Sequence, residues 1–209
     1  MKLEAVINGE WIGDVSKGGS VNFRNITFNP HGNGTHTECV GHISKEFITI
    51  NACLKQFMFL AEVVTILPKE LENGDFVITR LQLQEALEGQ KPEAIIIRTL
   101  SNGTNKLSVN YSNTNPPYIL EDAILFLNDS GIEHLLIDMP SVDREIDGGK
   151  LLAHHSFWQY PYNTQFQKTI TELIYVPNEV ADGTYILNIQ IASFENDASP
   201  SKPILYKVF

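Results

Sequence analysis

The chain has little that would tie it to nucleic acid, a membrane or a disulfide framework. Of its 209 residues only 15 are Lys or Arg, against 25 Asp or Glu, giving a net charge of −10. A surface that tracks phosphates needs clustered basic side chains, so this balance argues against a nucleic-acid partner. The two cysteines, Cys39 and Cys53, make no zinc motif and no disulfide framework. They read as free buried thiols in a reducing compartment. No stretch approaches the 18 uninterrupted apolar residues of a membrane span. The opening MKLEAVINGEWIG lacks the apolar core of a signal peptide. These absences lead us to expect a cytoplasmic protein with no membrane partner. Runs of like charge, internal repeats and low-complexity linkers are also missing, and no Gly-rich phosphate loop follows a strand, so a nucleotide-binding role has no support.

What is present is an ordinary globular composition, 43% apolar, in a chain long enough to bury a sizeable core. We expect one domain over residues 1–209. Residues 3–7 and 10–15 read as strands around Asn8-Gly9, a type I′ hairpin signal. Residues 21–28 alternate and end at Asn29-Pro30, as a strand entering a turn does. The apolar run 57–67, the segment 75–79 and Ile95-Ile96-Ile97 within 93–100 predict strands. Thr79 and Gln82 have capping-box spacing for a helix that ends at Gly89. The polar, Asn-rich residues 101–117 predict a long surface loop. A helix over 120–130 with Gly131 behind it, a strand over 132–138 and a helix over 149–158 follow. Strands over 169–176, 184–192 and 204–208 complete a mixed, strand-rich α/β domain.

Metal-ligand chemistry is concentrated in residues 29–43, NPHGNGTHTECVGHI, which hold His31, His36 and His42, three of the six histidines, with Glu38. In an extended segment alternate residues share a side, so His36 and Glu38 could reach one ion. His42 shares that parity if the backbone stays extended past Gly41. His31 has the opposite parity, and Gly32 and Gly34 leave its direction open. A nitrogen and carboxylate set suits zinc, manganese or iron and is unlike a Cys-rich structural zinc site. The alternative is a polar turn whose histidines bond the backbone. Elsewhere, His134 sits among apolar residues and reads as a satisfied core histidine. His154-His155 lies on a helix after a loop with Asp138, Asp143 and Asp147. Glu172 is a carboxylate in an apolar strand, which needs a partner or a cation.

These residues fall in three blocks that resemble the metal-dependent cyclase or kynurenine-formamidase-like hydrolases. Gly34-Thr35-His36-Thr37-Glu38 with His42 matches the first block, with Glu where Asp is usual. Ile137-Asp138-Met139-Pro140-Ser141-Val142-Asp143 matches the second, and Ala153-His154 followed by Glu172 the third. The resemblance implies a swivelling β/β/α fold, usually a homodimer or homotetramer, and a divalent metal, zinc or manganese. It implies His36 and Glu38 as metal ligands and His42 as general acid/base. His154 and Glu172 would complete the site as metal or supporting groups, Glu172 assisting catalysis. The family's first ligand histidine falls on Gly32, so either a local shift brings in His31, one residue earlier, or the first ligand is missing. The gap from His154 to Glu172 is longer than usual. The implied activity is hydrolysis of a non-peptide C–N bond in a small molecule, of the arylformamidase (N-formylkynurenine) or cyclic-amide type. A binding protein with a degraded metal site and an ester or lactone hydrolase are the competing readings. Trp11, Phe157 and Trp158 are candidates to stack on an aromatic substrate, although each singly reads better as core or surface.

Overall fold

A computed structural model describes residues 1–208. The chain divides into two compact units, Met1–Asn33 and the residues from Gly34 onward.

In the first unit Lys2–Ala5 pairs antiparallel with Arg24–Thr27. Ile7–Asn8 pairs with Trp11–Ile12 in a tight hairpin. Its central residues are Gly9 and Glu10, not Asn8 and Gly9, and only Gly9 has positive φ, at 60°. That is a type II′ turn, with glycine first, rather than the expected I′ turn. Trp11 packs edge-on against Phe23, 6.0 Å between ring centres.

The second unit is built on an eight-stranded sheet. Its spatial order is Ala198–Pro200, His36–Glu38, Thr169–Glu172, His134–Ile137, Ala94–Thr99, Met58–Ile66, Gly183–Asn188 and Ile204–Lys207. The four central strands run parallel, from Thr169–Glu172 to Met58–Ile66. The outer pairs are antiparallel. Ala94–Thr99 is buried at every position, which explains its unbroken Ile run: a central parallel strand is covered on both faces. Strand alternation then splits the core in two. Ile95, Ile97, Leu135, Ile137 and Ile170 pack with the helices through Leu83, Leu127 and Phe157. Ala94, Ile96, Leu136 and Leu187 face the opposite way with Ile174 and Ile189.

The two edge strands of this sheet are joined by Ser201–Pro203 alone. A flat sheet of eight strands would hold its edges more than about 30 Å apart, whereas this link reaches at most about 15 Å. The sheet is therefore curled strongly towards itself.

The helices follow local signals. Thr79 and Gln82 form the expected capping box on Arg80–Leu87. Gly131, at φ 82°, closes Glu121–Asp129 by donating to Asn128 O. Several strands are shorter than expected, among them Arg24–Thr27, His134–Ile137 and Gly183–Asn188, and two shortened elements bear on the site. The 149–158 helix starts only at Leu152, because Gly148, Gly149 and Leu151 are left-handed. The 169–176 strand stops at Glu172, because Leu173 turns left-handed at φ 55°. His36–Glu38 and Ala198–Pro200 were not expected as strands, being three residues each and too short for a periodic signal. Pro200 is tolerated because its strand is at the edge. Among the described residues, no helix is long and apolar enough to cross a membrane.

Removing Ile97, which is fully buried between sheet and helices, should cost about 2–5 kcal/mol as Ile97→Ala. The exposed Ile26→Ala should stay within roughly 0.5 kcal/mol. Urea unfolding measures both, and equal effects would contradict this assignment of the core.

Candidate metal centre

The site is set by strand register. His36 stands opposite Glu172, and Glu38 stands opposite Ile170. Residues directly opposite in an antiparallel pair share a face, so His36, Glu38 and Glu172 all project to the helix side of the sheet, where Ile170 packs. The expectation that His36 and Glu38 share a side is met, because His36–Glu38 is a true strand. Thr37 faces the other way, its hydroxyl 2.8 Å from that of Thr171.

His154 reaches the same point from the Leu152–Trp158 helix. Its Nε2 lies 3.3 Å from Glu38 Oε1 and 3.9 Å from Glu172 Oε1. His36 Nε2 lies 3.5 Å from Glu172 Oε2 and 3.9 Å from Glu38 Oε2. Both imidazoles are anchored through their other nitrogen. His36 Nδ1 donates to Gly34 O at 2.9 Å, and a carbonyl can only accept. His154 Nδ1 lies 2.6 Å from Asp143 Oδ2. The two Nε2 atoms are thereby turned towards two carboxylates in a buried space. His36, Glu38, His154 and Glu172 are each no more than 5% exposed.

His42 joins from the side. The chain does not remain extended to reach it: Val40–His42 is a 3-10 turn. Gly41 makes that turn possible, since a Cβ there would lie 2.0 Å from Ile48 O. His42 Nδ1 lies 3.9 Å from Glu38 Oε2 and 3.4 Å from Asp197 Oδ2. One ligand atom from each of Glu38, His42 and His154 falls within 4.8 Å of the others.

The electrostatics follow from burying carboxylates together. Burial opposes charging of His154, yet Asp143, Glu38 and Glu172 outweigh it and push its pKa up to about 10. Burial opposes His36 likewise, and Glu172 with Glu38 still raises it above the ordinary imidazole value. Burial works against ionised Asp143, but His154 and the Ala153 and His154 amides hold it below the usual carboxylate range. The cluster therefore draws in positive charge, either protons on imidazole or a divalent cation. The donor set fits such a cation. His154 Nε2 is buried without a hydrogen-bond partner, aimed at carboxylate oxygens, and backed by a carboxylate in the arrangement common for metal-bound histidines. Cys39 contributes no thiolate, because Cys53 and burial push its thiol up.

The remaining candidate residues have partners of their own. His155 Nδ1 lies 3.2 Å from Tyr160 O, so His154 is the member of the pair that enters the cluster. His134 is a core histidine, as expected, stacked on Phe59 at 3.8 Å and bonded to Thr169 Oγ1. Burial, helped by Lys168, lowers its pKa to about 4. Asp138 is held by Thr99 and Lys106, and Asp147 accepts from Gly149 N and Leu151 N. Phe157 and Trp158 are fully buried and cannot stack on a substrate. His31 belongs to the first unit, where its N–H donates to Asn29 Oδ1. Two participants were given no role in the sequence, Asp143, noted only in its loop and in the second block, and Asp197. Asp143 accepts from Ala153 N and His154 N besides the His154 ring, and its place in the second block was the available signal. Asp197 had none.

The Cyclase family model matches residues 3–144, about two thirds of the chain. The chain belongs to the Cyclase family. A kynurenine formamidase of Bacillus cereus is 29% identical over 195 residues, spanning 90% of this chain and 81% of that protein. The Bacillus cytotoxicus kynurenine formamidase is 26% identical over 189 residues, with the same coverage. A structure described as a potential metal-dependent hydrolase with cyclase activity superposes with a TM-score of 0.68 at 17% identity, over 98% of this chain and 86% of that one. Isatin hydrolase A of Labrenzia aggregata gives 0.65 at 16%, over 97% and 81%. Both structures share the fold of this chain. The chain is accordingly a hydrolytic enzyme with a cluster suited to a divalent metal.

Two outcomes follow. Asp143→Ala should loosen the His154 ring and weaken zinc binding by about 10–100-fold in a chelator competition; unchanged affinity would remove Asp143 from the site. The raised imidazole pKa values stabilise the metal-free protein fully below the unfolded value of about 6.5, and that stabilisation is lost as pH rises towards about 10. Melting temperatures of chelated protein should therefore fall over this window, while zinc-loaded protein should hold its own, since metal competes better as protons leave. Parallel profiles for the two forms would contradict this.

Proposed function

We propose that this protein is a metal-dependent hydrolase of a non-peptide C–N bond, of the arylformamidase or cyclic-amide type. The observation that carries the reading is the buried convergence of His36, Glu38, His154 and Glu172. Family membership and the kynurenine formamidase relatives support the choice of bond. N-formylkynurenine, cleaved to kynurenine in tryptophan catabolism, is the first substrate to test, and an isatin-like cyclic amide the second, by likeness of fold.

His36 and Glu38 would hold zinc or manganese, with His154 and Glu172 completing the shell. His31 is proposed as a further ligand in place of the histidine expected at Gly32. A bound ion of this kind lowers the pKa of water to about 7 and polarises a carbonyl. His42, the one partly exposed imidazole of the cluster, takes the proton of the attacking water and returns it to the leaving amine. Glu172 keeps one oxygen on Val142 N, 3.0 Å away, and so is fixed in orientation while it assists. Asp143 holds His154 in the tautomer whose Nε2 can bind. We take the protein to be cytoplasmic, on its composition, and a homodimer or homotetramer, carried over from the family resemblance; sedimentation tests the assembly.

Gly32 favours one other reading, a binding protein that keeps the fold with a degraded site. Nothing lies within 4 Å of where a Cβ on Gly32 would be, so Gly32→His can be made without a clash. Elemental analysis of protein purified without chelator, beside Glu38→Ala and His31→Ala, separates the readings. We expect stoichiometric metal in the parent, its loss in both variants, and a fall in formamide turnover of at least about 100-fold in Glu38→Ala. A parent that holds no metal and cannot be loaded would leave the binding-protein reading standing, as would loading without turnover of any formamide, cyclic amide, ester or lactone.

A further inference from the structure

The reading above gives His42 a proton to carry but not a reason to carry it from the correct nitrogen. A neutral imidazole has one donor and one acceptor nitrogen, and which is which depends on what the ring meets. His42 sits on a short turn with its side chain about one third exposed, so packing alone does not set its orientation. Two carboxylates approach its Nδ1, Asp197 Oδ2 at 3.4 Å and Glu38 Oε2 at 3.9 Å. A Glu38 that binds a cation turns its lone pairs to that ion. Asp197, the nearer of the two carboxylates, is then the acceptor for Nδ1.

We propose that Asp197 is the positioning residue of His42: its carboxylate holds the proton on Nδ1 and so leaves the lone pair on Nε2, the nitrogen that acts as base. The inference rests on the hydrolase reading for its catalytic meaning and on geometry alone for the contact.

The backbone around Asp197 is tied to the metal strand by bonds that do not use its side chain. Asp197 O accepts from Cys39 N at 3.0 Å, and Asn196 O accepts from Ile50 N at 2.8 Å. Ala198 pairs in register with Glu38. Glu195 accepts from Thr49 Oγ1 and Asn51 Nδ2. The segment thus clamps the stretch carrying Glu38, Val40–His42 and Ile50 from its open side. The approach is close enough that a Cβ on Gly41 would lie 3.2 Å from Asp197 Cβ. The edge strand delivers the carboxylate, and Gly41 leaves room for it. A contact of 3.4 Å is long for a charge-assisted bond, as such contacts often are before substrate closes the site.

The test is Asp197→Asn, nearly isosteric and attached to the same pinned backbone. The first readout is the ring nitrogen spectrum of zinc-loaded protein labelled with 15N-histidine, with the His42 signals assigned through His42→Gln. We expect Nδ1–H in the parent, and in Asp197→Asn a shift towards Nε2–H, because an amide offers a donor as readily as an acceptor. The second readout is turnover of a formamide. We expect kcat to fall by about 10²-fold or more with KM within about twofold, and with zinc content unchanged, which a merely structural role would not produce. A parent already protonated on Nε2 overturns the proposal, as does a zinc-shifted Nδ1, which would make His42 a ligand. An unchanged tautomer and kcat in Asp197→Asn overturns it as well. If the tautomer switches but the parent hydrolyses nothing, the positioning contact stands and the hydrolase reading fails.

Discussion

Three carboxylates, Glu38, Asp143 and Glu172, are buried within reach of two imidazoles at one end of a sheet. Carboxylates taken out of water repel each other at short range, and the imidazoles of His36 and His154 stand between these three. Backbone amides meet part of their cost, at Asp143 and Glu172, and positive charge drawn into the space between them meets the rest. The raised pKa values of His36 and His154 are that demand expressed as protons. A divalent cation answers it better, with more charge at one point and no proton needed on either Nε2.

The rest of the second unit serves this arrangement. The curled sheet brings a three-residue strand carrying His36 and Glu38 against the last parallel strand, so that register alone puts Glu172 beside His36. Leu173, left-handed, ends that strand one residue after Glu172. Asp143 starts the Leu152–Trp158 helix by accepting its first amides and uses the same carboxylate to aim His154. One side chain therefore couples helix position to ligand orientation. On the far side the edge strand clamps the turn that carries His42.

Much of this was legible in the sequence where the signal is local. The Ile run of 95–97, the Thr79–Gln82 capping box and Gly131 each state their element through a short-range rule, and each is found. The shared side of His36 and Glu38 came from strand parity, and Glu172 stood out as a charge in an apolar strand. What was not legible depends on distant pairing or on one backbone angle. The Asp197 carboxylate meets a histidine 155 residues away in the chain. The late helix start after Leu151 and the early strand end at Leu173 each involve a left-handed leucine, which carries no glycine signature. The hairpin turn moved by one residue because glycine at the first central position suits a II′ turn as well as its neighbour suits I′.

The most direct test of the central claim is an anomalous difference map at the zinc edge, from crystals grown with zinc and without chelator. The account predicts a strong peak at bonding distance, about 2.0–2.2 Å, from Glu38 and from a histidine Nε2 of His36 or His154. A map with no peak among these residues, in crystals that contain zinc elsewhere, would contradict it.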